Sequence, residues 1–77
     1  MEKINTDQPI VSRSMSWDER QKLTRLITGG KWINNKTNKI VEVIERQGYD
    51  LILKHESGRI TKKQDHYFVG DYSTYFG

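Results

Sequence analysis

The chain has 77 residues, 13 of them Lys or Arg and 10 Asp or Glu, for a net charge of +3. At this length folding buries only about 60% of the surface the unfolded chain exposes, so large apolar side chains are needed for the core and a deep substrate cavity is not expected. There is no Cys, which excludes disulfides and cysteine-held metal, and the apolar runs are too short for a membrane span or a signal-peptide core.

A cytoplasmic protein is therefore expected, with no cofactor, no metal, no membrane and no small-molecule substrate. Residues 1–15 read as a flexible, polar arm around the single proline, Pro9, in which Ile10 and Val11 are placed to add a short edge strand. Residues 16–77 read as one small domain. Ser16 and Glu19 have the spacing of a capping box, each satisfying a backbone N–H that the first turn leaves unpaired. Asp18 and Glu19 suit the positive end of a helix dipole, and Arg25 the negative end. With Gly29 as a left-handed stop, the spacing predicts a helix over 17–28. At about 100° per residue Leu23, Leu26 and Ile27 share a stripe, and Trp17 lies off it. So short a helix is not stable alone, so the stripe must dock on a sheet.

From 31 to 77 the pattern is that of a β-meander. The run "KIVEVIE" is rich in β-branched residues, and "LILKH", "ESGR" and "RITKK" predict a hairpin pairing 51–55 with 59–63. Alternation puts Leu51 and Leu53 on one face, Ile52 and Lys54 on the other. "HYFV" reads as a further strand, and a turn at Gly70-Asp71 leads to a final short strand or helical turn. The closing aromatics are expected to pack back against the Leu23, Leu26 and Ile27 stripe.

The order "GGKW…TNKIVEVI…YDLILKHESGRI…YF" resembles the small SH3-like barrels, including the KOW-type modules of nucleic-acid machinery. It is also similar in style to short accessory proteins of bacteriophages and prophages. The expected fold class is α+β, with the arm and one helix packed on a small antiparallel SH3-like β-barrel or curled sheet. The resemblance implies that fold and carries over no functional residue.

Catalysis has little to work with. His55 and His66 are the two histidines, and Asp65-His66 in a strand would point to opposite faces. Glu42 and Glu45, three apart in a strand, also oppose each other and do not form a carboxylate pair. The glycines at 29–30 follow a helix instead of opening one, so they are not a phosphate loop.

Binding is better supplied. "KWINNKTNK" carries Lys31, Lys36 and Lys39 and no acid; "KHESGRITKK" carries Lys54, Arg59, Lys62 and Lys63 against Glu56 alone. If both are turn tips they make a local positive patch for phosphates, with Tyr49 in a turn available to stack on a base. The expected function is therefore a non-catalytic regulatory protein associated with DNA or RNA. The alternative is a protein-binding modulator, of the kind a phage uses to inhibit or adapt a host protein. Its candidate surface is Trp17, Arg20, Tyr72 and Tyr75, residue types that dominate interface hot spots. An exposed edge strand also makes a homodimer reasonable.

Overall fold

The computed structural model describes residues 9–76; residues 1–8 of the predicted arm lie outside them. The capping box forms as expected: Glu19 N–H donates to Ser16 Oγ at 3.2 Å, and Ser16 N–H donates to Glu19 Oε1 at 2.9 Å. It opens a helix α1 of only Trp17–Gln21, followed by a 3-10 turn over Thr24–Leu26. The predicted helix over 17–28 is thus two pieces, and Arg46 explains the second. Its guanidinium takes the Thr24 carbonyl at 2.7 Å and the Ile27 carbonyl at 2.9 Å. Carbonyls held sideways in this way do not continue an α-helix, and the last turn tightens instead. Asp65 anchors that guanidinium at 2.7 Å from a site that is 3% exposed. The stripe splits accordingly: Ile27 is fully buried, Leu23 packs at the core margin and Leu26 is 54% exposed. The left-handed residue at the exit is Gly30, φ 92°, one position later than predicted.

Five antiparallel strands follow, β1 Gly30–Asn34, β2 Ile40–Gln47, β3 Asp50–His55, β4 Ile60–Gln64 and β5 Tyr72–Thr74. Their order is β4-β3-β2-β1-β5. The first four form a meander, and β5 returns beside β1. The architecture is α+β, and the sheet is not a closed barrel, because β4 and β5 lie at opposite edges. Alternation sorts the faces: Val41, Val43, Leu51 and Leu53 are buried, while Ile52 is half-buried and Lys54 exposed. A bulge between Val43 and Glu45 breaks the period of β2 and leaves Ile44 exposed. The predicted hairpin pairs 50–54 with 60–64.

The segment read as a strand, "HYFV", lies in a helix, α2 Asp65–Asp71. Asp65, Phe68, Val69 and Tyr72 are all buried, at spacings of three and four that a helix can place on one side and a strand cannot. Phe68 meets Trp32 edge-on at 5.4 Å and stacks on Tyr72 at 4.4 Å. Tyr72 opens the edge strand on β1 and joins the buried cluster that holds Ile27, against which Leu23 packs. Tyr75 lines an outer depression, and Phe76 and Leu26 are exposed, so the expected docking on the stripe is met only in part. The arm closes that edge: Val11 is buried, its carbonyl accepts from Thr74 N–H at 2.8 Å, and its N–H donates to Thr74 Oγ1 at 2.8 Å.

Two further contacts hold α1 in place. Arg20, 4% exposed, uses all its donors: Nε to the Met15 carbonyl, Nη1 to those of Val69 and Tyr72, Nη2 to the Ser12 carbonyl and Ser73 Oγ. Burial lowers its pKa, and the nearby Asp71 charge works against that shift. One turn earlier on α1, the Trp17 ring lies so close over Gly70 that a Cβ there would collide with Cζ3, Cε3 and Cη2. Gly70→Ala is expected to destabilise the fold by about 1–3 kcal/mol, the usual cost of overpacking. In a Trp17→Ala background most of that penalty should vanish, which a thermal-denaturation cycle of the four proteins measures.

Candidate nucleic-acid interface

The hairpin connecting β1 to β2 is built by its asparagines. Asn34 Oδ1 accepts from the N–H groups of Lys36 at 2.8 Å and Thr37 at 3.0 Å, and Asn38 takes a left-handed φ of 62°. This is the local chemistry that makes Asn a turn residue. The arm steadies the tip through Arg13 Nη2, which donates to Asn38 Oδ1 at 2.6 Å. The β3–β4 connection closes when His55 N–H donates to the Arg59 carbonyl at 2.9 Å.

Because strands β1 to β4 form a meander, these two turns emerge at the same end of the sheet. The two basic stretches of the sequence therefore meet in space. On the sheet face away from the helices they surround two adjoining depressions of about 330 and 280 Å3, which share Ile40, His55 and Glu56. Lys31 and Lys54 border the first and Lys39 and Arg59 the second, and Tyr75 lines the first as well. The register explains the row: Lys31 lies opposite Glu42, and Glu42 opposite Lys54. Tyr75 extends the row, since its N–H donates to the Lys31 carbonyl at 3.0 Å. Among the described residues, none of the ion pairs involves Lys31, Lys39, Lys54 or Arg59.

Other predicted residues fall elsewhere. Lys36 is exposed on the β1–β2 tip. Lys62 is exposed on β4 opposite Ile52, on the same outer face as Lys54. Lys63 sits opposite Leu51 on the helix side and pairs with Asp71 at 3.7 Å. Tyr49 lies at the far end of the sheet under Arg25, whose guanidinium is 5.0 Å from its ring. Of the second set, Trp17 is half exposed on α1 and Tyr75 faces the groove, whereas Arg20 and Tyr72 are buried within the fold. These four do not form one surface.

Residues that the sequence did not mark for binding are Ile40, Glu42, His55 and Glu56, which also line the groove. Alternation with Val41 and Val43 was the signal for Ile40 and Glu42. His55 is committed locally, with Nε2 hydrogen-bonded to Thr61 Oγ1 at 2.7 Å. Across the sheet, α1 and α2 expose a separate aromatic surface. Tyr67 is 54% exposed, its ring 4.2 Å from His66, and it shares the α2 face that carries Gly70 and the Trp17 ring.

Among the described residues no three His, Asp or Glu side chains gather as metal ligands, and no helix is long and apolar enough to cross a membrane. No family model, curated protein or solved structure matches the chain.

Proposed function

We propose that the protein is a non-catalytic, nucleic-acid-associated regulator whose outer-face groove receives the phosphates of DNA or RNA. One observation supports this above others: two basic stretches far apart in sequence converge on one groove. There Lys31, Lys39, Lys54 and Arg59 outnumber Glu42 and Glu56. Clustered cations of this kind raise the local concentration of a polyanion and gain affinity by releasing its counterions. We read the meander whose fifth strand returns through a short helix beside the first as an SH3-like path opened between β4 and β5.

Binding of mixed-sequence DNA and RNA oligonucleotides, followed by fluorescence anisotropy, tests the proposal. Binding is expected at low ionic strength and should weaken steeply as salt is added. Absence of binding to every oligonucleotide at low salt sinks it.

A second reading rests on the helix side. Trp17, 53% exposed over Gly70, and Tyr67, 54% exposed on α2, are large apolar side chains left in water, as in a protein-binding modulator that acts on a host protein. Recovery of one stoichiometric protein from nuclease-treated lysate, lost on Trp17→Ala, would favour this reading.

A further inference from the structure

Resting on the nucleic-acid reading above, we infer that the groove takes single-stranded nucleic acid, with one base stacked on Tyr75 and the phosphates following the cationic rim. The outer-face row Tyr75, Lys31, Glu42, Lys54 runs from the residue just past β5 across β1, β2 and β3. Three strand spacings make it about 14 Å across.

Glu42 stands between the two lysines of that row. Its carboxylate repels a phosphate backbone laid along the centre of the groove, so the phosphates are held at the margins. The same carboxylate accepts hydrogen bonds from the exocyclic amino groups of bases. A single strand fits this division, because its unpaired bases turn inward while its phosphates stay outside. A duplex presents phosphates on both sides of each groove and keeps its base edges for an element that projects into it. Both helices pack on the opposite face of the sheet, and the cations at Lys31 and Lys54 border a depression. Tyr75 supplies the aromatic face that single-strand sites use on any base.

The experiment compares fluorescein-labelled oligo(C) and oligo(dC), whose bases carry an exocyclic amino group, with a hairpin duplex, by anisotropy, on the full chain and two variants. Tyr75→Phe keeps the ring and should hold single-strand affinity within about twofold. Tyr75→Leu keeps bulk without a π face and should lose at least about fivefold, the low end of one stacking contact. Duplex binding should be weaker and indifferent to both changes, and circular dichroism confirms that each variant is folded. Equal or tighter binding of duplex, or single-strand binding unaffected by Tyr75→Leu in a folded variant, overturns the single-strand inference and leaves nucleic-acid binding standing. Failure to bind any of the three probes overturns both. The oligo(C) and oligo(dC) arms, which differ only in the sugar, separate RNA from DNA as the source of the strand.

Discussion

Replacing Arg20 with Ala is expected to lower stability by about 3–5 kcal/mol, because buried carbonyls lose a charged donor and are left unsatisfied. The guanidinium ties together four parts of the chain: the arm at Ser12 and Met15, α1, the end of α2 at Val69, and β5 at Tyr72 and Ser73. Removing it leaves the Val69 and Tyr72 carbonyls without these donors inside the fold, where each unsatisfied group costs about 1–3 kcal/mol. A domain of this size has only about 4–12 kcal/mol to lose, so the melting temperature should fall by more than about 12 °C. Arg20→Lys should recover part of the loss, since an ammonium has three donors and cannot reproduce the planar fork. Arg25→Ala is the comparison within the same segment. Arg25 is exposed and covers Tyr49, a contact worth about 0.5–1 kcal/mol. Equal effects of Arg20→Ala and Arg25→Ala in a denaturation experiment would contradict the clamp.

These two arginines also show what could be read in advance. Ser16 and Glu19 could, because a capping box is made within four residues and needs no tertiary partner. Leu51 and Leu53 could, because alternation is a property of the strand itself. Arg20 looks like any polar helix residue, and its carbonyl partners on α2 and β5 lie 49 and 52 positions away. The 3-10 turn over Thr24–Leu26 has a similarly distant partner, since Arg46 reaches back from β2 to take the Thr24 and Ile27 carbonyls.

The α2 helix was hidden for a different reason. "HYFV" has the residue types of a strand, and seven residues give barely two turns over which a helical period can show. Gly70 inside it reads as a breaker until Trp17 is seen lying across it. For the site, the charges of both basic stretches were visible, and their meeting was not. It follows from the meander, which sets the β1–β2 and β3–β4 turns at one end and leaves Tyr49 at the other.

Charge reversal at Lys39, Lys54 and Arg59 together is expected to abolish binding of DNA or RNA, under the proposed function, while the fold is kept. All three side chains are exposed on the outer face or its turns, and surface changes of this kind usually move stability by less than about 0.5 kcal/mol each. The effect on binding is larger for two reasons. Three attractive contacts are lost, and three carboxylates join Glu42 and Glu56 around the same groove. If Lys31, Lys39, Lys54 and Arg59 each meet one phosphate of a single strand, log K should fall against log salt with a slope of about −3. Neutral variants at one of these positions should each flatten that slope by about 0.7. Lys22→Glu and Lys63→Gln provide the comparison, since Lys22 lies at the end of α1 and Lys63 faces α2 and pairs with Asp71. They alter net charge without touching the groove, so they should leave the slope unchanged and affinity within about threefold, the part due to long-range field alone. A triple variant that is folded and still binds with the original salt slope would place the phosphate contacts elsewhere on the molecule.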